Sequence, residues 1–205
     1  LFIIYNKSER VMTYSKEDRT IRRTKKLLKQ ALAELMEQKD FNDITVKDIT
    51  EKADLNRGTF YLHYSGTYDL LEKIENEILG SIQQVIEEYL NHDDAKNDSA
   101  ITAIYPIGVY IMENADICRC LINNKASSDF IDKFQELIFK NLLNITSIKH
   151  PKAANKSNEY YFSFITYGVI GVLKCWLSKK PMPPVDEVAK LVDKFIISVS
   201  NGTLK

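Results

Sequence analysis

Glycine and proline are scarce in this 205-residue chain, seven and five in all. Long stretches without either favour helices over many short strands. Cysteine is scarcer still, and Cys118, Cys120 and Cys175 are too few for a disulfide framework. Two positions apart on a helix, Cys118 and Cys120 would face different sides, which makes them poor ligands for one metal. Net charge is absent too, with 28 basic against 28 acidic residues. A neutral chain does not coat nucleic acid indiscriminately, although a local basic face stays open to it. Phosphate loops, dinucleotide fingerprints and nucleophile elbows are all missing. The three histidines are scattered. No acid–base pair or ligand set assembles, so no catalytic residue, metal or cofactor is expected, and an enzyme has no positive support.

What is present suffices for a buried core: 44% of residues are hydrophobic and 27% charged. Residues 1–14 are set aside as a disordered or non-native extension, with Met12 a candidate start. The apolar patch Leu1 to Tyr5 is too short for a signal peptide. Ser15 to Gln38 reads as the first helix, with Ile21, Leu28, Ala31, Leu32 and Leu35 at helical spacing. Its opening is basic through Lys16, Arg19, Arg22, Arg23, Lys25, Lys26 and Lys29, either a solvated face or a contact surface for DNA.

Further helices are expected over Tyr68 to Leu90, Ile101 to Glu113, Ala115 to Ile122, Ser128 to Ile145 and Val185 to Val199. Pro106 predicts a kink or a junction. The polar loop 91–98 holds His92, Asp93 and Asp94, adjacent residues that would rarely converge on one ion. Tyr160 to Leu173 is nearly free of charge, yet too short and too closely flanked by Glu159 and Lys174 for a membrane span. A helix apolar all round is buried on all sides, and a second subunit is the expected cover for its last side. Gly168 and Gly171 would let another backbone come close.

Between the first helix and the Tyr68 helix, Phe41 to Tyr64 holds two short helices around a polar corner. Thr45 is a suitable N-cap with Asp48 three residues on, and Ile44 and Ile49 are spaced as a hydrophobic staple. The device recurs with Asn56 as cap and Leu55 and Phe60 as staple. Ala53-Asp54-Leu55 makes the corner, where Asp54 tolerates a left-handed backbone. This is a helix-turn-helix. Phe60 and Tyr64 should pack inward, leaving Arg57, Gly58, Thr59, Leu62 and His63 outside and Tyr61 at the edge. Arg57 has the fork that matches guanine, Gly58 allows close approach, and Thr59 suits a thymine methyl or a phosphate. Tyr61 and His63 suit phosphates. The residues alone fit a DNA-reading unit and a plain helical hairpin equally well.

The run Thr45 to Tyr64, followed by Tyr68-Asp-Leu-Leu71, resembles the DNA-binding head of the tetracycline-repressor (TetR) family. With the preceding helix the match covers about Arg19 to Ile74. The resemblance implies that Thr45 contacts phosphate, that Arg57, Gly58 and Thr59 face bases, and that Tyr61 and His63 bind the backbone. Two departures stand out. Asp54 replaces the usual corner glycine, and Thr67, beside Tyr68 in the DNA-facing set, stands where the family has a phosphate-clamping lysine. The body, Tyr160 to Trp176 above all, resembles the C-terminal domain of one bacterial branch. That implies a homodimer built on the last two helices and a ligand cavity. Tyr105, Tyr110, Phe134, Phe162, Tyr167 and Trp176 are the candidate lining, against ordinary aromatic packing.

The expectation is therefore an all-α chain with a helix-turn-helix DNA-binding domain over 15–66 and a helical dimerisation and effector domain over 67–205. It would be a cytoplasmic, ligand-responsive repressor, binding a palindromic double-stranded operator as a homodimer, with no membrane role. An activator, a partner-dependent co-regulator, or an interaction protein of this fold without operator binding are the alternatives.

Overall fold

A computed structural model describes residues 16–91, 101–123, 128–149 and 158–203. The expected N-terminal extension, the loop with His92, Asp93 and Asp94, and the loop at His150-Pro151 lie outside the described residues, as do the side chains of Lys16, Tyr89 and Ile145. All regular elements among the described residues are helical. They run α1 (Lys16–Met36), a single 3-10 turn (Phe41–Asp43), α2 (Val46–Lys52), α3 (Arg57–Tyr61), α4 (Thr67–Asn91), α5 (Ile101–Glu113), α6 (Ala115–Asn123), α7 (Ser128–Lys149), α8 (Asn158–Ser178) and α9 (Val185–Thr203).

The all-α architecture and the helix-turn-helix are as expected, and three local differences have physical reasons. The second helix of the pair, expected to run from about Arg57 to Tyr64, stops at Tyr61, because the His63 N–H turns back only three residues to the Phe60 carbonyl at 3.0 Å, an oxygen it shares with the Tyr64 N–H. That tight turn sets Tyr64 against Phe60 (ring centroids 5.6 Å apart), and both are buried. Pro106 does not break α5, which continues through it. The missing N–H costs one hydrogen bond near the start of a helix that packs on α4 and α9. Helix α8 is longer than expected, and in the single chain one side is open, the side for which a second subunit is the expected cover. Phe162, Ile165, Ile170, Leu173 and Leu177 are inside, while Tyr160, Phe164, Tyr167, Gly168 and Gly171 face outward. By length and composition α8 passes as a membrane span, but its inner side packs on α6, α7 and α9, as a core helix does.

One continuous cluster of buried residues joins head and body. Leu28 and Leu32 of α1 meet Phe41, Ile49 and Phe60; Leu70, Ile74, Ile78, Ile82 and Ile86 of α4 carry the cluster on to Leu121, Phe130, Trp176 and Val185. The 25-residue helix α4 is thus the spine shared by both parts. Helix α6 is wedged between α1, α7 and α8, which is why Cys118 and Cys120 are both buried although they point to different sides. Burial pushes the Cys118 thiol up to about 12 and the Cys120 thiol to about 11, so both stay protonated near neutrality.

Polar ties reinforce the junction of α1 with the body. Lys29 Nζ donates to Asn114 Oδ1 at 3.1 Å and pairs with Glu77 of α4 at 3.3 Å. The Cys120 thiol donates to the Ala33 carbonyl at 3.4 Å. Arg119 lies 3.5 Å from Glu37, just past the end of α1. These three α1-side partners recur every four residues, so one face is fastened over the C-terminal half of α1.

Candidate nucleic-acid interface

The N-terminus of α2 is closed by a full capping box. The Thr45 hydroxyl accepts from the Asp48 N–H at 3.2 Å, and the Asp48 carboxylate accepts from the Thr45 N–H at 2.8 Å. That same carboxylate oxygen also accepts from the Thr45 hydroxyl at 2.7 Å and from Lys39 Nζ at 2.9 Å. With hydrogen bonds from Lys39 and Thr45 converging on it, the carboxyl is held well below the usual range. The Thr45 hydroxyl proton is therefore engaged inside the protein, not directed outward.

Asn56 caps α3 by accepting from the Gly58 N–H at 2.8 Å. Between the two helices Asp54 adopts the left-handed backbone expected of a corner, with φ of 52°. Behind them Ile49, Ala53 and Phe60 are buried, which pins the pair's inner face to the core. The outer face carries Arg57, Gly58, Tyr61 and Leu62, all exposed, with Thr59 and His63 half-buried beside them. A face of this kind offers one guanidinium fork, a phenol and an imidazole to a groove, separated by a bare stretch of backbone.

Helix α4 begins next to this surface. Thr67 opens it half-buried, and Tyr68 is exposed with its ring edge-on to Phe41 at 4.9 Å. The Tyr68 hydroxyl donates to Asn42 Oδ1 at 2.7 Å. Asn42 was not singled out from sequence, because nothing in its spacing signals a partner 26 residues away. Lys73, the cation nearest in sequence beyond Thr67, is committed elsewhere. Its Nζ pairs with Asp69 at 3.0 Å, donates to the His63 carbonyl at 3.1 Å and lies over the Tyr64 ring. On α1, Lys29 is turned toward the body, whereas Arg19, Arg23 and Lys26 share an exposed stripe at helical spacing.

The six aromatic candidates in the body differ in their surroundings. Phe134 is buried and stacked on Phe130; Phe162 is buried edge-on to Phe139. Trp176 is buried and donates its indole N–H to the Pro183 carbonyl at 2.9 Å. Tyr110 is half-buried, and Tyr105 and Tyr167 are exposed. A groove of about 410 Å³ lies elsewhere, between α4 and α7, lined by Gln83, Lys133, Glu136, Leu137, Lys140 and Asn141. No group of three metal-ligating side chains occurs among the described residues.

Comparison with known proteins agrees with this geometry. Residues 28–74 match the family model described as bacterial regulatory proteins, tetR family, and residues 98–198 match a transcriptional regulator C-terminal region of TetR type. The HTH-type transcriptional regulator YxbF of Bacillus subtilis (strain 168) is 24% identical over 144 residues, which is 68% of this chain. The matched stretch is 38% of the length of that curated relative. A TetR transcriptional regulator from Streptococcus agalactiae 2603V shares the fold at TM-score 0.55 and 20% identity, covering 88% of this chain and 97% of that one. A TetR-like transcriptional regulator from Rhodococcus sp. RHA1 does so at TM-score 0.67 and 10% identity, covering 92% and 99%. Both matched models describe regulators, a class without enzymatic activity. From the capped helix-turn-helix at Thr45 to Leu62 and the helical body behind it, the chain belongs to the tetR family of bacterial transcriptional regulators.

Proposed function

We propose that this regulator is a cytoplasmic repressor that binds a near-palindromic operator as a homodimer, released by a small molecule held in its body. One observation carries the reading. The α2–α3 pair commits its inner face to the core and both helix starts to caps, yet leaves Arg57, Gly58, Tyr61 and Leu62 outward together. A recognition helix in the major groove needs that division of labour.

On this reading residues 15–66 are the DNA-binding domain and 67–205 the dimerisation and effector domain. Arg57 forks onto guanine, and Gly58 and Thr59 lie against bases. Tyr61, His63, Thr67 and Tyr68 contact the sugar-phosphate backbone. Thr45 contributes through the α2 cap, since its hydroxyl is held by Asp48. The outward residues of α8 together with Leu191 and Phe195 of α9, one turn apart, form the apolar face that a second copy covers. Two copies would set their α3 helices about 34 Å apart, one turn of DNA. The effector is expected among the body aromatics, of which Tyr110 is half-buried and Trp176 buried.

Fluorescence anisotropy against the upstream DNA of its own gene, with Arg57→Ala as control, tests the reading. Saturable, sequence-selective binding that the variant loses supports it. Binding indifferent to sequence and to the variant sinks it, and selective binding that raises transcription in a reporter makes the protein an activator instead.

A further inference from the structure

Among the described residues of the head, the exposed large hydrophobic side chains are Tyr61, Leu62 and Tyr68, at 53%, 79% and 63%. Every other large apolar side chain there is buried or partly so. The two tyrosines carry hydroxyls that suit phosphate or water, and Tyr68 already uses its own on Asn42. Leu62 has no polar atom to offer, yet it is the most exposed of the three.

Leu62 caps the C-terminus of α3, one turn after Gly58, and its N–H donates to the Gly58 carbonyl. Gly58 has no internal need of its missing side chain. Its φ is not positive, and a methyl added there would meet Asn56 Oδ1 at 3.4 Å and nothing else within contact. Glycine inside a helix destabilises it relative to alanine. The free protein therefore gains nothing at this position, and any gain lies on the outer side, over Leu62.

We infer that Gly58 of α3 and Leu62, the residue that caps its C-terminus, form a notch that receives the C5-methyl of one thymine in each operator half-site. The inference rests on the DNA-binding reading above and names one base that this face selects. In the major groove the thymine methyl is the apolar group among the base edges. A leucine pressed against any other edge would strip water from a hydrogen-bonding atom and return nothing. Gly58 supplies the clearance that lets the helix backbone come near enough for Leu62 to reach the methyl. Thr59, the methyl-bearing side chain expected from sequence to make this contact, is half-buried and turned partly inward.

The test uses the full chain and a double-stranded operator enriched from a random DNA pool. Each thymine of the half-site is replaced in turn by deoxyuridine, which deletes the methyl alone, and binding is measured with wild type, Leu62→Ala and Arg57→Ala. At one thymine the replacement should weaken wild-type binding about fourfold. Leu62→Ala should bind the thymine operator weaker by a similar factor and be indifferent to deoxyuridine at that position. Circular dichroism confirms that the variants fold. Equal sensitivity to deoxyuridine in wild type and Leu62→Ala, or no sensitive thymine at all, overturns the notch. If Arg57→Ala still loses selective binding in that case, the DNA-binding reading stands. A pool that yields no enriched sequence overturns both.

Discussion

The Nε of Arg119 donates to the Leu177 carbonyl at 2.8 Å, which fastens α6 to the last turn of α8. Carbonyls in that turn have no partner within the helix. The same guanidinium reaches Asp116 at 3.2 Å and Glu37 at 3.5 Å, and its side chain is only 16% exposed. Arg119→Met keeps the apolar stem but leaves the carbonyl unpaired. The stability read from urea unfolding should fall by about 1–3 kcal/mol. Arg119→Lys should recover part of it, since lysine brings the charge without the fork. An Arg119→Met chain as stable as wild type would mean that water replaces the guanidinium at no cost.

Acid should expose the role of Asp48. Its carboxyl sits well below the ordinary value of 3.8 because Lys39 and Thr45 hydrogen-bond to the charged form. A folded-state value depressed below the unfolded one gives stability that is present above the unfolded value and lost as pH falls through the folded one. Urea midpoints of wild type and Asp48→Asn should therefore differ by a constant amount above about pH 5 and converge as the pH drops below 3.8. A difference that stays constant down to pH 2 would remove Asp48 from the acid response.

The corner at Asp54 invites a stabilising change. A φ of 52° is costly for a residue with a Cβ. Asp54→Gly relieves that strain and adds some entropy to the unfolded chain, for a net gain of about 0.5–1 kcal/mol. Thermal unfolding measures it, and a lower midpoint in the variant would show that the aspartate side chain contributes more than the strain costs.

Salt dependence reports on the first turn of α4. Thr67 puts no charge there, and Lys73 is held by Asp69, the His63 carbonyl and the Tyr64 ring. In Thr67→Lys the slope of log binding constant against log salt should steepen by about 0.9, one further counterion released. A slope no steeper than that of the unmodified chain would mean that Arg19, Arg23 and Lys26 on α1 already occupy the same phosphate.

Local devices were readable from the residues because their causes are local. The capping box of Thr45 and Asp48, the Asn56 cap, the left-handed Asp54 and the inward Phe60–Tyr64 pair each follow from chemistry within a few positions. The helix ends were less readable. Tyr61 ends α3 because two N–H groups converge on Phe60, a competition that periodicity does not register. Long-range partners were invisible: Asn42 with Tyr68, Lys29 with Asn114 and Arg119 with Leu177 are joined by the fold, not by spacing. An aromatic at helical spacing likewise looks alike in sequence whether it packs or lines a cavity.

The outward side of α8 predicts an assembly phenotype. Phe164→Glu combined with Tyr167→Glu places two charges where both aromatics are exposed in the single chain. The fold of the protomer should survive, while sedimentation should shift from a dimer to a monomer and operator binding should weaken sharply. A double variant that still sediments as wild type would place the interface on another face.

If that aromatic stripe pairs two copies, as proposed above, it also makes the amount of protein a control variable. Below the dimer dissociation constant, the concentration of paired chains rises as the square of the total, and folded-state stability rises with it by mass action. Doubling synthesis would then roughly quadruple the species that fills the operator, so the response to protein level becomes steeper than that of a monomeric binder. On that reading the steepness comes from the exposed side chains of α8 and α9, with no effector required.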